Sequence, residues 1–177
     1  SRGEELQHYF AMGVNASKMC YEPIIKYGKK AMESNDKKEN SYDYEQVVLA
    51  IIVSTALASI YLTAEHTVHY NSGLAHAIFY SLTAHPHIEK NHLHGEVVSY
   101  GVLNLLLVDN NMEDFEKVYN FNKQVKLPTC LKDLEFEQKD IPELAKNAVI
   151  MKDIEHNAYT ITEEMLIKAM EKLENVK

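Results

Sequence analysis

The sequence has little cysteine, glycine or proline, and these shortages exclude several classes of protein. Its 177 residues include two cysteines, six glycines and four prolines. Two isolated cysteines, Cys20 and Cys130, exclude a disulfide scaffold and are typical of a reducing compartment. No apolar leader is seen at the start of the sequence, so we expect a cytoplasmic protein. A chain of this length is expected to form one domain, covering residues 1–177.

Basic residues are also few. Lys and Arg number 18 against 26 Asp and Glu, which gives a formal net charge of -8. Such a charge disfavours phosphate backbones and anionic lipid surfaces as partners. The longest apolar stretch, Val47 to Leu62, is interrupted by hydroxyl residues and is shorter than the roughly 20 residues that cross a bilayer. We therefore expect a soluble protein that binds neither nucleic acid nor membrane.

Apolar residues recur at steps of three and four, and strict alternation is hard to find, which predicts an all-α, multi-helix bundle. Pro23 is expected to divide the first helical stretch into two helices. The apolar helix from about Tyr44 to His69 is expected at the centre of the bundle, because it is hydrophobic on nearly all sides. The other predicted helices cover about Leu74–Thr83, His94–Val108, Met112–Val125, Ile141–Met151 and Thr162–Glu174.

Histidine is concentrated in one stretch, and this is the main chemical signal. Seven of the nine histidines are His66, His69, His76, His85, His87, His92 and His94. Imidazole is a common metal ligand. His66 and His69 nevertheless fit favourable placement near a helix C-terminus, and the histidines at 85–92 fit a solvated, proline-containing loop. His156 is isolated and is expected to hold a loop.

His76 and His94 have the strongest case as ligands. His76 lies among small residues on the predicted buried side of its helix, where an imidazole needs a partner. His94 stands at a helix start, where the dipole favours the neutral, metal-competent imidazole. They are 18 positions apart on different helices, which matches no general spacing rule for zinc. On these grounds alone, a shared metal and a structural role for each histidine both stay open.

Three motifs carry a resemblance to a known family. Gly73–Ile78 (GLAHAI), Leu82–Ala84 (LTA) and His94–Gly101 (HGEVVSYG) resemble the C-terminal helical domain of the iron-containing, or group III, metal-dependent alcohol dehydrogenases. The likeness is closest to the glycerol dehydrogenase branch, whose spacing between the two histidines is the one found here. The order of Leu127–Leu134, Asp140–Glu143 and His156–Thr162 is also similar to that branch.

The resemblance implies a metal site. It makes His76 and His94 ligands, and it places the third ligand, an aspartate in the family, at Glu4. Iron-binding members have a fourth ligand at the position of Tyr80, so the departure here favours a three-ligand, zinc-like site over the four-ligand iron site. The ligand types alone also accept iron and nickel, so zinc is the first expectation and these metals stay open. Glu96 is expected either to stabilise the N-terminus of its helix or to form a hydrogen bond with one of the metal ligands.

The implied function is the metal-binding, substrate-side domain of an NAD(P)-dependent dehydrogenase for an alcohol, polyol or hydroxy acid. The family's NAD(P)-binding domain is absent from the chain, which contains no Gly-x-Gly turn and begins at Ser1 near the family's domain boundary. Family members usually associate, so a homo-oligomer is also implied.

Two alternatives remain. The set of Glu4 and two histidines resembles dehydroquinate synthase, a lyase, but Lys90 is the only basic residue between Gly73 and Gly101 to meet a phosphate-bearing substrate. The second alternative is a helical module that keeps the fold without catalysis, since no hydride can move without a cofactor domain.

Overall fold

A computed structural model describes residues 5–63 and 72–176. These residues form helices and connecting segments and contain no strand, which confirms the all-α fold class. The chain divides into two compact units, Ser1–Asn71 and Ser72–Lys177.

The first unit is a pair of long helical segments. Helix α1 covers His8–Asp36, and helix α2 (Tyr42–Leu49) continues through a π-helical turn at Ala50–Ser54 into helix α3 (Thr55–Leu62). Pro23 lies inside α1, so the predicted division into two helices is wrong. A proline within a helix costs about 3 kcal/mol. Here α1 packs against both α2 and α3, and these contacts hold it together across the proline.

The prediction that the apolar helix is central is also wrong. Ile52 and Ile60 are each 64% exposed, whereas the buried positions of α3 and the π-helical turn include the small residues Ala50 and Ala58. The reason is geometric. Within this unit α1 covers one side of the segment, and a helix that is apolar on all sides needs neighbours on several sides to be buried.

The continuous helix Tyr42–Leu62 has 21 residues and is apolar enough, by length and composition, to cross a membrane. It is longer than the apolar stretch from Val47 because it also includes the five residues Tyr42 to Gln46. The sequence-based argument from length therefore does not apply to this helix, although core helices of soluble proteins meet the same criteria.

The second unit contains six α-helices among its described residues: α4 Leu74–Thr83, α5 Pro86–Asn91, α6 His94–Val108, α7 Met112–Val125, α8 Ile141–Val149 and α9 Glu163–Glu174. Helices α4, α6, α7 and α9 agree with the predicted helices, and α8 ends two residues before the predicted end. Helix α5 was not predicted. Its first residue is Pro86, at a position where the missing N–H has no intrahelical partner to lose.

Helix α6 is the central helix of this unit and packs against α4, α7 and α9. Its inner face carries Val97, Tyr100 and Leu103, all fully buried. Opposite it, α4 contributes Leu74, Ile78 and Leu82, and α9 contributes Leu166, Met170 and Leu173. The core that sequence patterning placed in the first unit therefore lies here.

Candidate metal centre

Helices α4 and α6 meet at an unusually close backbone contact. A Cβ atom added to Gly101 would lie 2.5 Å from the carbonyl oxygen of Ala75 and 2.8 Å from its Cα. No side chain can be accommodated without moving one backbone. This contact holds the first turn of α4, which carries His76, against the helix that begins at His94.

The structure brings the two predicted histidine ligands together. The ring centroids of His76 and His94 are 5.8 Å apart, with an angle of 42° between the ring planes. His76 is half-buried in the first turn of α4, whereas His94 is exposed as the first residue of α6. The ring of Phe79 supports the second histidine, with its centroid 4.3 Å from that of His94.

The surroundings of His76 favour its neutral form. Burial lowers the pKa of His76, the nearby His94 ring lowers it further, and the carboxylate of Asp153 partly opposes both effects. The N-terminal turn of α4 also disfavours a positive charge. A neutral imidazole is the form that donates a nitrogen lone pair to a metal.

The third predicted ligand, Glu4, lies outside the described residues. Across residues 5–63 and 72–176, no three His, Cys, Asp or Glu side chains are grouped so that they could hold a metal ion. Tyr80, at the family's fourth-ligand position, is 45% exposed, and its ring packs against Phe79. The described part of the site is therefore a pair of histidines.

Glu96 serves the start of its helix. One carboxylate oxygen accepts a hydrogen bond from the backbone N–H of Leu93 at 2.9 Å, which satisfies a donor that the helix leaves without a partner. The same oxygen lies 3.9 Å from Nδ1 of His92. Of the two roles expected for Glu96, the structure thus shows the one at the helix N-terminus.

The histidines expected in a solvated loop are more ordered than predicted. The rings of His85 and His87 each lie 5.0 Å from the ring of Phe136. The His92 side chain is only 14% exposed, and its Nε2 is 3.5 Å from a carboxylate oxygen of Glu135. Helix α5 packs these residues against the segment near Phe136. His66 and His69 lie outside the described residues.

One residue that the sequence did not single out, Asn157, contacts the start of α4. The side-chain oxygen of Asn157 accepts a hydrogen bond from the backbone N–H of Leu74 at 3.3 Å. His156, expected to hold a loop, does so with its Nδ1 3.0 Å from the hydroxyl oxygen of Ser72. These partners are more than 80 positions apart in sequence, so no local pattern could have indicated them.

Comparison with known proteins supports the resemblance. No protein-family model matches the chain. Glycerol dehydrogenase of Thermotoga maritima is 31% identical over 148 residues, a region that covers 80% of this chain. The chain is homologous to glycerol dehydrogenase.

Solved structures agree on the fold. The crystal structure of a probable glycerol dehydrogenase from Sinorhizobium meliloti 1021 matches 92% of this chain at 24% identity, with a TM-score of 0.74. That of glycerol dehydrogenase from Schizosaccharomyces pombe matches 92% at 21% identity, with a TM-score of 0.73. The chain spans 37% of the Thermotoga relative and 44% and 40% of the two solved chains. It therefore corresponds to less than half of each.

Proposed function

We propose that this chain is the metal-binding, substrate-side domain of an NAD(P)-dependent polyol dehydrogenase of the glycerol dehydrogenase type. The observation that carries the proposal is the pairing of His76 with His94 across the contact between α4 and α6. The homology supplies the reaction class, since the Thermotoga relative is a glycerol dehydrogenase. The covered share of the relatives supports a nucleotide-binding domain outside these residues.

The residues present fit a divalent transition metal such as zinc. The two imidazole rings lie 5.8 Å apart, and burial lowers the pKa of His76, which favours its neutral form. Glu4 would complete the donor set with a carboxylate, in the proportion of two nitrogens to one oxygen that open zinc sites use. When bound, the metal would supply Lewis-acid polarisation of a substrate hydroxyl.

The chain's own residues would prepare this site in three ways. The glycine at 101 permits the close contact that sets the spacing of the two histidine helices. Phe79 packs against the His94 ring and restricts its orientation. The first turns of α4 and α6 both present helix N-termini, which favour neutral imidazoles and an anionic third ligand. A polyol, an alcohol or a hydroxy acid would then approach from the exposed side, where His94 lies.

The proposal has a direct test in metal stoichiometry. The purified full chain is loaded with Zn²⁺, desalted and measured by elemental analysis. We expect one zinc per chain in the wild type, and none in His76→Ala or His94→Ala. His87→Ala is the matched control, since His87 packs against Phe136 and should retain zinc. Retention of stoichiometric zinc by His76→Ala would contradict the proposed site.

A second test concerns the cofactor. The zinc-loaded chain is mixed with glycerol and NAD⁺ or NADP⁺, and reduced nicotinamide is followed by absorbance. We expect no turnover by the chain alone, because the proposal assigns NAD(P) binding to a domain outside it. Turnover by the isolated chain would overturn that assignment. A chain that binds no metal would instead favour a non-catalytic helical module.

A further inference from the structure

Helix α4 begins without a cap of its own. The residue before its first turn is Gly73, which has no side chain to bond the free N–H groups of the helix start. The N–H of Leu74 instead donates to the side-chain oxygen of Asn157, 83 positions later in the sequence. A distant segment thus caps the helix that carries His76.

The capping residue is itself fixed. The side-chain amide of Asn157 donates to the carbonyl oxygen of Ile154 at 2.9 Å, and its backbone N–H donates to the same oxygen at 3.3 Å. These bonds hold Asn157 on the end of the 3₁₀ turn Lys152–His156. The neighbouring His156 contacts Ser72, so two consecutive residues of this segment hold the chain on both sides of Gly73.

Glycine at position 73 permits this approach. A Cβ atom there would lie 3.2 Å from the side-chain oxygen of Asn157, closer than ordinary packing allows. The backbone N–H of His76 donates to the carbonyl oxygen of Gly73 at 3.0 Å, so a hydrogen bond of the first turn joins the two residues. Asp153, on the same 3₁₀ turn, is the carboxylate whose charge acts on His76.

We infer that Asn157 is a positioning residue of the candidate metal centre, which caps α4 and so holds His76 at the spacing from His94 that a shared metal ion requires. This inference rests on the proposed function. Metal sites need ligand positions accurate to a few tenths of an ångström, so a frayed first turn of α4 would weaken binding. Loss of a residue that orients a ligand typically lowers metal affinity about 10- to 100-fold.

The test uses Co²⁺ titration of the full chain, because the visible absorption of Co²⁺ reports ligand number and geometry. Asn157→Ala is expected to weaken Co²⁺ affinity by about 10-fold or more and to alter the spectrum. Asn157→Asp keeps an oxygen that can accept the Leu74 bond but loses the amide bond to Ile154, so it is expected to bind Co²⁺ more tightly than Asn157→Ala and less tightly than the wild type. Asn111→Ala is the matched control: Asn111 caps α7 through the N–H of Asp114, and its loss should leave Co²⁺ binding unchanged.

The outcomes separate this inference from the proposed function. If the wild type binds no Co²⁺, the proposed function fails. If the wild type binds but Asn157→Ala binds equally well, or no worse than Asn111→Ala, the positioning role fails. Amide hydrogen exchange without metal adds an independent reading. Exchange at Leu74 to Ala77 should be faster in Asn157→Ala and unchanged in Asn111→Ala, and unchanged exchange in Asn157→Ala would overturn the inference.

Discussion

The two units of the chain use apolar residues in opposite ways. In the first unit, large apolar side chains such as Ile51, Ile52 and Ile60 are more than half exposed. In the second unit, Leu74, Leu82 and Leu103 have no exposed surface. The first unit nevertheless contains the longest apolar helical segment found among the described residues. Hydrophobic content alone therefore does not predict burial.

The difference follows from the number of neighbours that each helix has within its own unit. Helix α6 has α4, α7 and α9 around it, so successive turns are covered on several sides. The Tyr42–Leu62 helix has α1 on one side, and its buried positions there are mainly small. A helix that is apolar on all sides is covered only when it has neighbours on several sides, and among the described helices α6 has them within its own unit whereas the Tyr42–Leu62 helix does not.

The largest effect is expected when a buried apolar side chain of the second unit is truncated to alanine, in comparison with an exposed one of the first unit. Leu82→Ala, in the core of the second unit, should lower the free energy of unfolding by about 2–5 kcal/mol, because it removes buried methyl groups and leaves a cavity. Ile52→Ala, at a position that is 64% exposed, should change it by about 0.5 kcal/mol or less. Urea unfolding, monitored by hydrogen exchange in peptides from each unit, measures the free energy of unfolding of both variants.

An equal loss of unfolding free energy in Leu82→Ala and Ile52→Ala would contradict the difference in burial between the two units. Such a result would mean that the exposed face of the Tyr42–Leu62 helix is covered in solution. A third variant, Ile60→Ala, repeats the test at a second exposed position on the same helix.

The sequence predicted the second unit well and the first poorly, for a physical reason. Helices α4 and α6 have local boundary signals, such as Gly73 before the first and Pro86 after it, and an apolar period that their packing uses. In the first unit, which side chains are buried depends on which helix faces pack together. The 3.6-residue period cannot identify the packed face of a helix that is apolar all round. The interpretation of Pro23 as a helix break is wrong because tertiary contacts outweigh its local cost.

The candidate site shows the same division. His76 and His94 could be named from their motifs, and the structure brings their rings together. Asn157 could not be named, because its bond to Leu74 joins segments 83 positions apart. Candidate ligands can be recognised from their residue types and motifs, whereas the residues that position a ligand depend on contacts between distant parts of the chain.

Substitution of a glycine by alanine is expected to have a smaller effect on the free energy of unfolding, and the effect should differ between the two units. At Gly101 an added methyl group meets backbone atoms of Ala75, so Gly101→Ala should cost about 1–3 kcal/mol. At Gly13 the methyl group would lie 2.6 Å from Cδ2 and 2.7 Å from Cγ of Leu62, so a side chain rather than a backbone segment would have to shift. The gain in helix propensity, up to about 1 kcal/mol, should offset that strain in Gly13→Ala.

Thermal unfolding of both variants compares the two positions. Gly95→Ala is the control for an added methyl group, since a Cβ atom at Gly95 would have no atom of the described residues within 4 Å beyond its own helix backbone and chain neighbours. A cost for Gly13→Ala as large as that for Gly101→Ala would show that the helix pair of the first unit is as rigid as the core of the second.

Helix caps should cost the same in both units, because a cap is a local interaction. Ser41 accepts a hydrogen bond from the N–H of Tyr44 at the start of α2, and Thr162 accepts one from Met165 at the start of α9. Ser41→Ala and Thr162→Ala should each lower the free energy of unfolding of the unit that contains them by about 1 kcal/mol. Denaturant titration tests this. A loss confined to one variant would show that local stability also differs between the units.

The smallest expected effect is a pH dependence that originates in the second unit. Burial raises the pKa of the Glu174 carboxyl, while hydrogen bonds from the Leu131 N–H and the Tyr100 hydroxyl partly oppose this. Because the folded-state pKa is raised, the contribution of protonated Glu174 to stability is fully present below the unfolded-state pKa of about 4.3 and is lost as pH rises through the folded-state pKa. Glu174→Gln keeps an oxygen for both donors and carries no charge.

We therefore expect Glu174→Gln to match the wild type in acid and to become the more stable of the two as pH rises, with the difference constant above the folded-state pKa. Urea titrations of both proteins from acid to neutral pH measure this difference. Glu171→Gln, at an exposed position one turn earlier on α9, is the control for replacing a carboxylate of this helix by an amide. A stability difference that grows toward acid would reverse the sign and show that Glu174 is held as a carboxylate. The hydrogen bonds from Leu131 and Tyr100 would then outweigh the effect of burial on the Glu174 pKa, and a charged carboxylate would help to hold the end of α9 against the core.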